Sequence, residues 1–278
     1  MKNTTKTIPN EGTPMSARSF VAMVVTIVLV FSAVGCSHLR GKPGFRPETL
    51  RPDQILGFET LYKSNCSACH GDGGLNGAAM PLNNPVYLAW AGHDHMVSIV
   101  ANGASLRAMH SFARSSGGML TDQQVESIVN GMISHWGKPG ILNGANPPGY
   151  AAATSGDVVA GKAAFETHCA RCHGADGTGP AASDEDTASS KQGAAVGSIA
   201  AVGSIMDPTY LSLISTQGLR DIVVSGLPGQ GMPDWRGDGS GKTTTTKPMT
   251  DKEVTDVVAW LASHRVQFPG QPFPTAQR

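Results

Sequence analysis

Residues 65–74 read NCSACHGDGG, and residues 168–177 read HCARCHGADG. Each stretch has two cysteines separated by two residues, a histidine directly after the second, and then a glycine. Cys66 and Cys69 are three positions apart, so one helical turn carries both sulfurs to one side. His70 follows and can turn its imidazole toward the same space. Cys169, Cys172 and His173 repeat the pattern 103 residues further on.

Two thiols at this spacing can form thioether bonds to the two vinyl groups of a haem, with the adjacent imidazole falling on the iron. The run C-x-x-C-H is the attachment sequence of c-type haem. A redox disulfide would use the C-x-x-C alone, would give the histidine no role, and is expected beside a βαβ pattern that neither copy has. Zinc takes four ligands, and each cluster supplies three with no fourth Cys or His common to both copies. Two covalently attached haem c groups are therefore expected, one on Cys66, Cys69 and His70, the other on Cys169, Cys172 and His173.

The repetition extends outward. Residues 84–103 (NPVYLAWAGHDHMVSIVANG) align with residues 207–226 (DPTYLSLISTQGLRDIVVSG) at a constant offset of 123. That offset also carries Met109 onto Met232 and Phe112 onto Trp235, while residues 120–131 meet 249–260 at an offset of 129. The second copy is therefore longer by 20 residues after its cluster, in a small-residue segment that reads as a flexible loop, and by six in the polar run GDGSGKTTTTKP. Between the copies, residues 137–156 are rich in Gly, Pro and Asn, as linkers are. The expected organisation is a first domain at 49–137, a linker at 138–155, a second domain at 156–268 and a tail at 269–278.

Apolar residues at helical spacing predict that PDQILGFETLYKSN (52–65) and DVVAGKAAFETH (157–168) are helices running into the clusters. TDQQVESIVNGMISHW and TDKEVTDVVAWLASHR each open with a Thr-Asp pair suited to N-capping. The expected fold class is all-α.

Each copy resembles a class I cytochrome c domain: C-x-x-C-H-G near the end of a first helix, a Gly-rich loop, a Met-bearing loop and a closing amphipathic helix. The resemblance covers residues 49–268 and implies a small helical fold wrapped around a covalent haem c, twice in tandem. It implies that the sixth iron ligand is a methionine in the loop before the last helix. Met232, followed by Pro233, fits the family's Met-Pro; Met109 falls in register with it but is followed by His110, which leaves Met109 and His110 both open in the first copy, with register favouring Met109. It also implies that Pro81 is the proline whose carbonyl accepts the proximal imidazole N–H; Pro180 stands too close to His173 for the same role. Trp260 resembles the aromatic residue with which the closing helix packs on the first. Its counterpart in the first copy is Gly131, so that contact must be made differently there. His93 and His95 (GHDH) read as a solvated helix start, with an auxiliary ligand site as the alternative, and His135, His168 and His264 as exposed at helix ends.

The N-terminus is of another kind. Lys2, Lys6 and Arg18 precede an apolar run at residues 20–35, shorter than the ~20 residues of a spanning helix. This reads as an export signal (residues 1–35), and Cys36 after SAVG resembles a lipobox cysteine that is lipidated and starts a tether at 36–48. An uncleaved anchor and a soluble secreted form are the alternatives. Five cysteines, four of them in the clusters, leave Cys36 to be explained, and acylation explains it.

Lys plus Arg (21) balance Asp plus Glu (21) with no basic stripe, which excludes nucleic acid as a partner. Aromatics are only 6%, so an apolar cofactor in each domain would help to build the cores. The resemblance thus implies a non-enzymatic dihaem electron-transfer protein, either a free carrier or a non-catalytic subunit of an oxidoreductase complex, at the periplasmic face of a bacterial cytoplasmic membrane. Its donor and acceptor would be a membrane respiratory complex, a dehydrogenase or a terminal oxidase. A peroxidase-type dihaem enzyme would need an open axial site, against which two matched methionines argue. A haem-sensing module would need an output domain, and none is visible.

Overall fold

The computed structural model of the protein describes residues 16–35, 49–104, 109–179, 203–237 and 247–266. It has two units, divided between Leu50 and Arg51. The first contains α1 (Ala17–Gly35), formed by the apolar N-terminal run. Among the described residues, no helix is long and apolar enough to cross a membrane. Cys36, Pro180 and the tail from 267 lie outside the described residues.

The second unit holds both repeats. The first repeat contributes α2 (Phe58–Asn65), α3 (Ser67–His70), α4 (Pro85–Ala91), α5 (His93–Asn102) and α6 (Asp122–Trp136). The second contributes α7 (Val158–His168), α8 (Ala170–His173), α9 (Pro208–Leu213), α10 (Thr216–Ser225) and α11 (Asp251–Ser263). Among the described residues the only pairings of β type are two isolated bridges, Ala113 with Leu120 and Leu227 with Met232. The all-α class read from the sequence is the observed one.

The helix signals in the sequence work as expected at the closing helices. Thr121 caps α6 and exchanges bonds with Gln124 in a capping box; Thr250 and Glu253 do the same for α11. At the first helix the expectation was too long. Pro52–Gln54 forms a separate 3-10 turn, and α2 starts only after Gly57. Buried Gln124 donates to the carbonyls of Pro52 (2.8 Å) and Ile55 (3.0 Å), which holds this stretch against α6 in a non-helical path.

In each repeat the first helix crosses the last. Phe58 of α2 lies over Gly131 of α6, whose missing side chain leaves room for the ring. In the second repeat the sizes are reversed: Gly161 of α7 lies against the α11 backbone at Asp256 and beside Trp260, which stacks on Phe165 at 4.5 Å. The offsets 103 and 129 place Phe58 on Gly161 and Gly131 on Trp260, so the pair keeps one large and one small partner with their helices exchanged.

The linker is bound along its length. Trp90 Nε1 donates to Pro148 O at 2.6 Å, and Tyr150 packs on Trp90 and on the first core. Ile141, Leu142 and Ala145 pack on the second core. Arg220 of α10, only 2% exposed, donates to the carbonyls of Gly149 (2.7 Å) and Tyr150 (3.1 Å), to Thr255 Oγ1 (2.9 Å) and to the Asp251 carboxylate. The repeats also share a core: Val86, on α4 of the first, is buried in the second repeat's apolar cluster with Leu219, Val223 and Trp235.

Candidate functional site

Both clusters fold alike. Cys66 (φ −119°, ψ −36°) ends α2 with a kink, and its carbonyl accepts from Cys69 N (3.2 Å) and His70 N (3.0 Å), which winds the single turn α3. Cys169 (φ −118°, ψ −33°) does the same for Cys172 N (3.1 Å) and His173 N (3.0 Å). Each turn therefore sets the two thiols one turn apart, with the histidine closing it. The glycine that follows must be glycine: Gly71 (φ +80°) and Gly174 (φ +75°) take a left-handed conformation, and a Cβ would collide with Leu75 O in one and Gly179 O in the other.

The side chains suit attachment chemistry. Among the described residues no disulfide joins the four cluster cysteines. Burial pushes the Cys66 thiol up to about 11 and the Cys169 thiol up to about 12. Among the described residues no three His, Cys, Asp or Glu side chains converge as a metal site, and His93 and His95 are no exception. Burial also pushes both His70 and His173 down from the ordinary imidazole value, which keeps each ring neutral. His70 Nδ1 lies 2.8 Å from Met80 O. A carbonyl only accepts, so Nδ1 carries the proton and Nε2 keeps its lone pair for iron. The expected acceptor, the Pro81 carbonyl, is thereby corrected to that of the residue before it: Ala79 N bonds Cys69 O (2.8 Å), and this return of the chain brings the Met80 carbonyl to the ring. His173 Nδ1 is buried and has no partner among the described residues.

The methionine loops also match. Ala104 N donates to Met109 O (3.0 Å) in the first repeat, and Leu227 N donates to Met232 O (2.9 Å) in the second, the same bond at the offset of 123. Both loops leave a glycine of positive φ, Gly103 (+81°) and Gly226 (+69°), whose Cβ would press on the methionine carbonyl at 2.6 Å in each case. Met109 is half-buried and packs on the first core, whereas His110 is exposed and stacks on Phe112 at 4.3 Å. Met109 thus lies on the core side of this loop and His110 on its solvent side.

Two minor expectations are corrected. His168 is largely covered, its side chain 10% exposed and 3.6 Å from Glu253, because Glu253 projects from the first turn of α11 toward the end of α7. His95 is not solvated; its ring packs on Tyr150 at 3.8 Å. His93 pairs with Asp94 and Glu126, and His135 and His264 are exposed as expected. Sequence reading passed over Asn84 and Arg220. The available signal was their register: Asn84 stands where the second repeat has Asp207, and Arg220 where the first has Val97.

Residues 158–265 match the family described as Cytochrome c, and residues 53–130 match Cytochrome C oxidase, cbb3-type, subunit III. Each half is thus a cytochrome c domain of class I type. The chain as a whole is a tandem cytochrome c, and two such domains carry two covalently bound haem c groups. Among its relatives, the Cbb3-type cytochrome c oxidase subunit CcoP of Azospirillum sp. is 28% identical over 50% of this chain and 47% of that one. The Cbb3-type cytochrome c oxidase subunit FixPc of Rhizobium leguminosarum bv. viciae is 31% identical over 48% of this chain and 43% of that one. The chain spans under half the length of these curated relatives. A chain of the Kuenenia stuttgartiensis reducing HAO-like protein complex Kustc0457/Kustc0458 aligns over 79% of this chain and 99% of that one at 18% identity. Its TM-score of 0.41 is too low to carry a fold argument.

Proposed function

We propose that the protein is a one-electron carrier with two six-coordinate haems, each closed by a histidine and a methionine. Cys66 and Cys69 would hold one haem and Cys169 and Cys172 the other. His70 and His173 are the proximal ligands, and Met109 and Met232 the distal ones. The observation that carries this reading is the backbone bond the two methionine loops share, Ala104 N to Met109 O in one repeat and Leu227 N to Met232 O at the same register in the other. The haem iron supplies the one-electron redox change. The protein's part is to hold both axial positions, so that no site stays open for peroxide, and to exclude water with the two apolar cores. Met80 O holds His70 in one ring orientation, so this ligand would keep its place when the haem's charge changed. A methionine thioether is soft and neutral and raises the reduction potential relative to a second histidine.

The domains are taken as residues 49–137 and 156–268. The partner is a membrane respiratory complex, supported by the relatives' identity as cbb3-type oxidase subunits. The N-terminal segment, with lipidation at Cys36, would keep the protein on the periplasmic face. A potentiometric titration read by visible spectroscopy tests the core of this: two components are expected, both with the iron–sulfur charge-transfer band when oxidised. Rapid carbon monoxide binding by one ferrous haem would overturn it in favour of a peroxidase-type site.

A further inference from the structure

Asn84 is 1% exposed and uses both ends of its side chain. Its Oδ1 accepts from Val86 N (3.0 Å) and Tyr87 N (3.2 Å) and so caps α4. Capping needs nothing more: at the same register in the second repeat, exposed Asp207 caps α9 by accepting from Tyr210 N at 2.8 Å. The Asn84 amide has a second task that a carboxylate has no hydrogen for. Its Nδ2 donates to Ser225 O and Gly226 O, both at 3.1 Å, in the other domain.

Ser225 ends α10 and Gly226 is its C-cap, so the helix gives neither carbonyl a backbone partner. They stand where the chain turns into the methionine hairpin. Gly226 is the left-handed residue against which the Met232 carbonyl rests, and Leu227 N makes the bond that closes the hairpin on Met232 O. Beyond it, Gly229 approaches Leu75, in the loop after the first cluster, to within 3.8 Å of a side chain placed there. In the first domain the corresponding carbonyls, of Asn102 and Gly103, receive no side-chain donor among the described residues.

We propose that Asn84 is a positioning residue for the Met232 sulfur: the first domain fixes the hairpin that presents the second domain's distal ligand. This rests on Met232 being that ligand. The second haem's axial bond then depends on a side chain from the first domain, while the first haem's depends only on its own.

The test uses the mature dihaem protein in the ferrous state. A methionine bound to haem iron places its ε-methyl over the ring, so two strongly shifted methyl resonances are expected, assigned with Met109→Ala and Met232→Ala. Asn84→Asp keeps the α4 cap and sets a carboxylate against two carbonyls; Asn84→Ser keeps the cap and withdraws the donor. Both should broaden or displace the Met232 resonance, leave the Met109 resonance in place and lower the potential of one component only. Two unchanged resonances would overturn the proposal, and so would equal disturbance of both. If neither variant folds, the parent decides. Slow exchange of the Asn84 side-chain amide, with a shift change on oxidation of the second haem, supports the proposal; rapid exchange overturns it. Absence of a Met232 resonance from the parent would remove the ligand assignment itself before any Asn84 variant is made.

Discussion

Where α2 crosses α6, Phe58 lies over Gly131; where α7 crosses α11, Trp260 stands beside Gly161. What the two domains share at this crossing is a combined volume, not a residue at a position. They differ in what the glycine touches. The atoms nearest a Cβ on Gly131 belong to the Phe58 side chain, whereas one on Gly161 would strike the backbone carbonyl of Asp256. The first crossing is a side-chain fit that can be renegotiated, and the second is a close approach of two helix backbones. A second contrast runs along α5 and α10. Val97 and Ser98 in the first domain become buried Arg220 and Asp221 in the second, so only the second domain carries charge into the interface with the linker.

The largest effect should come from that charge. Arg220→Ala strands the Gly149 carbonyl, takes one of two donors from the Tyr150 carbonyl and leaves the Asp251 carboxylate without its cation, and should cost about 3–5 kcal/mol in denaturant unfolding. Val97→Ala, at the same register, loses packing alone and should cost far less. Equal effects would break the comparison.

Next comes pH. Burial raises Asp221 from 3.8 to about 6, offset in part by the Gln217 amide and by Arg220 on its own helix; Tyr87 from α4 and Tyr150 from the linker also face it. A carboxyl with a raised folded value binds more protons folded than unfolded. Its contribution is therefore full below the unfolded value and is lost as pH rises through about 6. Stability should fall by roughly 3 kcal/mol at most across that window. Asp221→Asn should flatten the fall, and an unaltered profile in that variant would place the titration elsewhere.

The crossings should separate in double-mutant cycles. Gly131→Ala with Phe58→Ala should show a coupling of about 1–3 kcal/mol, because removing the ring removes the clash. Gly161→Ala with Trp260→Ala should couple by less than about 0.5 kcal/mol, because the Asp256 carbonyl remains. The smallest effect should be a likeness: Thr121→Ala and Thr250→Ala each remove one capping box and should each cost about 1 kcal/mol.

The parts legible in the sequence were those set by local rules. C-x-x-C-H fixes one helical turn, the Thr-Asp openings fix the starts of α6 and α11, and a constant offset pairs the Ala104–Met109 backbone bond with the Leu227–Met232 one. What escaped depends on contacts distant in the chain. Nothing local distinguishes Asn84 from an ordinary cap, since its amide partners lie 141 and 142 residues away. The linker reads as Gly- and Pro-rich coil because its order comes from Arg220 and Trp90, not from itself. The exchange at the crossing was half visible: the Gly131–Trp260 mismatch is apparent from the offset, but its compensation needs Phe58 and Gly161 compared as well.

Val86 has a consequence for biogenesis. It belongs to the half of the chain that is synthesised first, yet it is buried at the heart of the other half's apolar cluster. Gene duplication usually yields modules that can be cloned apart; here a fragment starting after residue 150 would lack one wall and would emerge sticky and short of partners. Vectorial synthesis delivers that wall before the rest of the chain appears, so the N-terminal copy is a template on which its sibling matures.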